Sequence, residues 1–388
     1  MPNNNKKKKI KSLYLGGFIL AVSEAIIAYV QSSYLNQFYN LEIVSWIFII
    51  TYIVTFFIIN KYPNFIARFT NLKTAAFSLL LKVISLLIFI CFPNPISVFI
   101  GFILFTVSFT LAFINFDIFL ETFTSDEKTG RIRGIYFSIY NFGWLASPFL
   151  SGIIVDYSGF NTLFIIDIAL ALIVLVLLLW NFRALPNHYA EKHFEIISTF
   201  KEILRRKNIK KIFEVSFILH FFYAVMIIYT PIYLNQYIGL SWSEIGLVFT
   251  VMLIPFILLQ YPAGYLADKY YGEKEILTTG LIIMALASFI IFYFHSYDLL
   301  AWAVILFFSR IGASLVEIMR ETYFFKKVDA KDIQLINALR SITPISYIIA
   351  PLAVGLILSF LQIEYVFLFL GLIILLGLYP ALTLKDTK

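Results

Sequence analysis

Tyr34-Leu35-Asn36-Gln37 returns 199 residues later as Tyr233-Leu234-Asn235-Gln236, and Phe18-Ile19-Leu20 returns at the same offset as Phe217-Ile218-Leu219. Further along, Asp117-x-x-x-Glu121-Thr122-Phe123 matches Glu317-x-x-x-Glu321-Thr322-Tyr323 at an offset of 200, and Pro148 with Gly152 matches Pro351 with Gly355 at 203. A long internal period in an apolar chain predicts two parallel copies of one helical membrane bundle, with a binding site between halves that rock.

Composition names the solvent. Of the 388 residues 61% are hydrophobic and only 14% charged, and the mean hydropathy is +0.87. A water-soluble fold could not cover that much apolar surface. A spanning helix needs about 20 mostly apolar residues. Twelve such stretches lie near 13–35, 42–60, 74–92, 96–120, 135–155, 162–182, 212–234, 244–264, 276–294, 299–322, 334–360 and 364–384. Pro93, Pro95, Asn161, Gly239 and Gly272 fall near the breaks, where helices stop. Barrel strands would be shorter and would alternate. The expectation is an all-α membrane protein of twelve transmembrane helices in two pseudo-symmetric six-helix bundles, 13–182 and 212–384. These are flanked by a basic N-terminus, 1–12, and a tail, 385–388.

Charge orients the bundle. All but Lys82 and Arg310 of the 30 Lys and Arg fall at the termini or on one side of the spans, whereas the opposite loops carry Glu42, Asp156, Glu244, His295, Asp298 and Glu364. By the positive-inside rule both termini are cytoplasmic, in the cytoplasmic membrane. Lys6 to Lys9 read as a topology signal, because the apolar run that follows is too long for a signal-peptide core and lacks a cleavage site. The net charge of +7 then belongs to the cytoplasmic face and implies no nucleic-acid partner. The single Cys91 excludes an intramolecular disulfide framework. Between the halves, the linker 183–211 holds eight Lys or Arg against three Glu, with Phe194, Ile197, Phe200 and Leu204 at helical spacing. Part of it is expected to lie along the inner membrane surface as an amphipathic helix.

The loop Gly264-Tyr265-Leu266-Ala267-Asp268-Lys269-Tyr270-Tyr271-Gly272-Glu273-Lys274 resembles the loop signature of the major facilitator superfamily, in which a Gly, a small residue, an Asp, a basic residue and a second Gly form a tight cytoplasmic turn. Glu273 stands where a basic residue is usual. Together with twelve spans, the duplication and the basic central loop, the resemblance covers essentially the whole chain. The fifth span carries Gly143-Trp144-Leu145-Ala146-Ser147-Pro148-Phe149-Leu150-Ser151-Gly152, similar to that superfamily's antiporter motif with serines at two glycine positions. Gly143, Pro148 and Gly152 read as a packing seam, with or without a bearing on transport direction.

The first-half loop, Pro63 to Lys73, lacks the glycines and has Arg68 where the second half has Asp268, while Leu120 on the fourth span is matched by Arg320 on the tenth. Sign-swapped latches are expected at a cytoplasmic gate: Arg68 with Asp117 or Glu121, and Asp268 with Arg320, Glu321 lying alongside. Such pairs would each contribute about 1–3 kcal/mol; ordinary solvated charges are the alternative.

Chemistry must come from charges at bilayer depth. Glu24, Lys82 and Arg310 each lie about 9–12 residues into a span, near the midplane at roughly 1.5 Å per residue, where an uncompensated charge is costly. Arg310, Ser314, Glu317 and Glu321 follow helical spacing down one face of the tenth span, and Thr106, Thr110, Asp117 and Glu121 draw the matching stripe on the fourth. The resemblance implies that the first, fourth, seventh and tenth spans line a central cavity, which would hold Glu24 and both stripes. Glu24 is the candidate proton carrier. Arg310 cannot lose its proton and is a counter-ion or substrate anchor. Lys82 is either a coupling residue or a snorkelling or salt-bridged side chain. Asp117 and Glu317 are gate or coupling residues, and Asn141 either meets substrate or bonds a neighbouring helix. His220 and His295 are given no role. No His-Glu-x-x-His, nucleotide loop or Cys/His metal spacing is present, so no enzyme, metal or cofactor is expected. The reading is a secondary active transporter, proton-coupled and exporting by antiport. Its partners are a small-molecule substrate, protons and the lipid bilayer, and a monomer is expected. Nutrient symport, or a non-transporting receptor of the same fold, are the alternatives.

Overall fold

The computed structural model describes residues 3–123, 129–182, 196–328 and 333–385. Helix follows helix throughout: α1 (Asn3–Ala28), α2 (Gln31–Asn36), α3 (Leu41–Phe69), α4 (Asn71–Cys91), α5 (Pro95–Phe123), α6 (Thr129–Asn181), α7 (Ile196–Arg205), α8 (Lys207–Ile228), α9 (Thr230–Ile232), α10 (Trp242–Leu258), α11 (Gln260–Leu266), α12 (Glu273–Tyr293), α13 (Leu299–Lys327), α14 (Ile333–Leu358), α15 (Glu364–Leu376) and α16 (Leu378–Leu382), with π-helical turns at Tyr233–Ile238 and Ala267–Tyr271. Among the described residues there is no strand, so the all-α expectation holds.

Eleven helical stretches among the described residues are long and apolar enough to cross a membrane. One of these, Ser138–Asn181, runs for 44 residues and is broken at Gly159, whose φ of +75° and ψ of 174° are not helical. The expected fifth and sixth spans are therefore both present, joined without the loop that usually marks a boundary. Large apolar side chains such as Phe57, Leu80, Trp180 and Leu356 stand exposed along the spans, which suits hydrocarbon and not water.

The chain divides into two compact units, Met1–Tyr39 with Ile50–Lys192, and Asn40–Ile49 with His193–Lys388. In the first unit α1 lies along α6, and α4 packs on both α5 and α6. Leu13, Leu20, Leu79, Phe116, Phe119, Tyr136 and Leu178 form its main core. Tyr62, Ile66, Val107 and Leu111 form a second cluster between α3 and α5. In the second unit α12 packs on α13 and α15, α13 on α10 and α8, and α14 on α8. Residues Asn40–Ile49, the start of α3, belong to this unit, where the Ser45 hydroxyl lies 2.6 Å from the Tyr229 hydroxyl.

Lipid supplies no hydrophobic drive between helices, so close backbone approach has to hold them together. The seam between α12 and α13 shows this at Gly280 and Gly312: a Cβ on Gly312 would stand 2.5 Å from the Gly280 carbonyl oxygen, and one on Gly280 would stand 2.7 Å from that of Gly312. At Gly143, in the packing seam expected from sequence, a Cβ would come within 2.9 Å of the Ala21 Cβ on α1.

The duplicated loops share a backbone that their sequences hide. Gly272 caps α12 at φ +79°, ψ 177°. Thr70, which precedes α4 at the matching place, adopts φ +77°, ψ 149°, and among the described residues it is the one non-glycine with positive φ. A β-branched side chain is strained there, at about 1–3 kcal/mol. Thr70→Gly is therefore expected to stabilise the protein by about 1 kcal/mol, read as a higher thermal midpoint in detergent. An unchanged or lower midpoint would show that the Thr70 side chain's packing outweighs the strain.

α7 falls within the linker. Thr199 and Ile203 are buried where it meets α8 and α14, while Phe200 and Leu204 are exposed beside Lys201 and Arg205. Phe194 and the side chain of Ile197, also part of the expected amphipathic pattern, lie outside the described residues.

Candidate functional site

In the first unit the midplane charges converge. Lys82 on α4 is buried and reaches the Asp167 Oδ1 on α6 at 3.0 Å. It also donates to the Ser23 hydroxyl at 2.6 Å and the Ser23 carbonyl at 3.1 Å on α1. The Ser23 hydroxyl in turn donates to Asp167. The Phe105 ring lies under the ammonium at 5.4 Å. Opposite charges at this distance attract by about 5 kcal/mol at an effective dielectric near 20, and the four hydrogen bonds hold both ions where hydration is lost.

Glu24, the next residue on α1, is 1% exposed. Its Oε2 accepts a hydrogen bond from the Tyr140 hydroxyl on α6, while Oε1 has no partner among the described residues. Tyr140 is placed by the α1–α6 contact and by stacking on Tyr136 at 6.2 Å. Two carboxyl groups and one ammonium thus share a buried space. That set is neutral with one proton bound and carries one negative charge without it.

Sequence reasoning missed Asp167. It lies near the start of the sixth span, where a charge reads as belonging to the preceding loop, yet its exposure is 0%. An acid inside the run Phe164-Ile165-Ile166-Asp167-Ile168 was signal enough. Asn115 was also overlooked. It is buried on α5, with its amide bonding the Tyr62 hydroxyl at 2.6 Å and its side-chain oxygen accepting from Thr74 at 2.9 Å. This hub ties α3, α4 and α5 together, a structural role.

In the second unit Arg310 on α13 is buried, its guanidinium carbon 5.1 Å from the Phe222 ring centre and 5.5 Å from that of Tyr223 on α8. The Tyr223 hydroxyl donates to the Glu317 Oε2 at 2.6 Å. Exposure grades along the stripe: Arg310 and Ser314 are buried, Glu317 is half-buried and Glu321 exposed. His220 sits 2.8 Å from the Ser216 carbonyl on its own helix.

Of the expected gate residues, the structure describes Arg68, Asp117, Arg320 and Glu321. Arg68 places its guanidinium over Phe69, 5.4 Å from the ring centre. Asp117 is half-buried on α5. The side chains of Glu121 and Asp268 lie outside the described residues. Buried Arg320 lies 3.6 Å from Glu321 and 3.5 Å from the Ser216 hydroxyl. Lys269 donates to the Tyr265 hydroxyl at 2.9 Å. Asn141 is exposed, and Pro148 and Gly152 are buried in α6.

Glu273, the residue that breaks the loop signature, is 1% exposed and takes a 2.6 Å ion pair from Lys326 at the end of α13. The acid at the usual basic position thus has a basic partner, and the pair pins the start of α12 to the end of α13. Truncating Lys326 to Ala strands a buried carboxylate and is expected to cost about 1–3 kcal/mol. With Glu273→Gln also present, the loss should fall well short of the sum of the two singles. Additive losses in a thermal-unfolding cycle would show the pair to be uncoupled.

The sequence model of the Major Facilitator Superfamily matches residues 13–245 and again 212–388. Among solved structures, a bacterial homologue of the iron transporter ferroportin in an inward-facing state is 13% identical with a TM-score of 0.78, covering 97% of this chain and 98% of that one. A bacterial homologue of the human lysosomal transporter Spinster, inward-facing and occupied, is 12% identical with a TM-score of 0.76, covering 98% and 97%. The same protein unoccupied gives 12% and 0.73. At such identities the likeness is one of fold. No curated protein matches in sequence. A family match over both halves, joined to a fold shared end to end with solved transporters, makes this chain a membrane transporter belonging to the major facilitator superfamily.

Proposed function

We propose that the protein is a proton-coupled secondary transporter that moves a small organic solute across the cytoplasmic membrane by alternating access, with both termini cytoplasmic and Glu24 as proton carrier. The supporting observation is the buried Glu24 carboxyl, with one oxygen held by Tyr140 and the other unpartnered, beside a Lys82–Asp167 pair that already balances itself. A carboxyl group left over from charge balance can gain and lose a proton as its access to water alternates. Asp117 and Glu317 would serve the exits, and the small-residue run Gly143 to Gly152 favours export in exchange for protons over symport. The working unit is a monomer, and neither cofactor nor metal enters the cycle.

The test is purified protein in liposomes, with a pH gradient imposed in each direction and a panel of radiolabelled organic acids, amines, amino acids and sugars. Accumulation against its own gradient of at least one compound, reversed in sign when the pH gradient is reversed, is expected. Equilibration of every compound to the same level with and without the gradient would remove proton coupling from the reading.

A further inference from the structure

The second unit holds a buried cation whose directional donors are unpaired among the described residues. Arg310 is 2% exposed, makes no ion pair among the described residues, and leaves both Nε and Nη2 without an acceptor. Lys82 in the first unit, by contrast, is fully engaged with Asp167 and Ser23. A guanidinium cannot escape its charge by losing a proton. The carboxylate nearest along α13, Glu317, starts two turns further along; it is a neighbouring charge, but its hydrogen bond goes to Tyr223 and it forms no ion pair with Arg310.

The two vacant nitrogens are not scattered. Nε and Nη2 bound one edge of the guanidinium plane, with their N–H bonds nearly parallel, the fork that accepts two oxygens of one carboxylate or phosphate. The ring contacts engage the cation through the aromatic faces of Phe222 and Tyr223, an attraction that uses no N–H donor. The cation is thus partly stabilised by rings while its directional donors stay available.

We propose that Arg310 is the anion-recognition half-site of the transporter, and that its cargo is an organic oxyanion, a carboxylate or phosphate joined to an apolar body that lies against Phe222 and Tyr223. This rests on the transport reading for its biological meaning, but it is a statement about equilibrium binding and can be measured without any gradient.

The experiment uses the full chain in neutral detergent, and follows thermal unfolding against rising concentrations of 4-phenylbutyrate, its uncharged amide, phenyl phosphate and inorganic phosphate. The acid and phenyl phosphate are expected to raise the midpoint in a saturable way, and the amide and inorganic phosphate to do so at least about tenfold more weakly. Arg310→Lys keeps the charge without the fork and should need about tenfold more acid for the same shift. Arg310→Gln should show no shift. If Arg310→Gln fails to fold, Arg310→Lys alone decides the matter. Equal effects of acid and amide, equal effects of the two phosphates, absence of any shift with either organic anion, or an unaltered response in Arg310→Lys would each overturn the assignment. Binding without any gradient-driven movement would instead leave this site standing and remove the transport reading. Transport of amines or sugars without recognition of the acids would do the reverse.

Discussion

Asp167→Asn is expected to cost about 3–5 kcal/mol of stability, because it breaks a buried ion pair and leaves the Lys82 ammonium with no carboxylate in direct contact, only the neighbouring Glu24. Against a typical total of about 5–15 kcal/mol, most of the protein should then be lost to aggregation on extraction. What remains should elute as a broadened peak in size exclusion and unfold at a much lower temperature. The neutral amide can still accept from the ammonium, but it supplies no charge, and only the two Ser23 oxygens remain as further acceptors. The same substitution combined with Lys82→Met should recover much of the loss, since an apolar partner in place of a buried ion removes the penalty. Wild-type stability in the single variant, or a double variant as damaged as the single, would mean that the pair is not what holds α4 to α6 at this depth.

Glu24→Gln should separate stability from coupling. The amide keeps an oxygen for the Tyr140 hydroxyl and occupies the same volume, so folding should change by less than about 1 kcal/mol. A one-unit pH difference is worth about 1.4 kcal/mol per proton, which at one proton per cycle supports roughly tenfold accumulation of an exchanged solute. The variant should lose all of that, reaching a ratio of one, while solute-for-solute exchange across the same vesicles continues. Retained accumulation would assign the proton to another group; loss of exchange together with accumulation would make Glu24 a structural or substrate-contacting residue.

How legible each feature was follows from its physics. Spans could be read because lipid imposes a length and a composition on every one of them. Even the tightest junction could be read: the polar stretch Asp156 to Thr162 marks the boundary of the fifth and sixth spans, although only the structure shows that the helix is broken there by the single backbone conformation of Gly159. Lys82 could be found by its depth, but its partner is 85 residues further along, and nothing local to either residue encodes the meeting. Thr70 carries a glycine-like backbone that no side-chain pattern records. The expected latches come from comparing two loops residue by residue, and the side chains of Glu121 and Asp268 that they need lie outside the described residues; the pairing of Glu273 with Lys326, 53 residues further along, had no local signal at all.

The amino-acid sequence alone determined the solvent, the duplicated all-helical architecture and the identity of three rare midplane charges, because hydropathy and period are sums over many residues and survive local exceptions. Only the tertiary structure decided which of those charges are balanced. Lys82 is paired by Asp167, Glu24 is left with one oxygen unbonded, and Arg310 has its fork unfilled, since charge compensation depends on a few ångströms between helices distant in the chain.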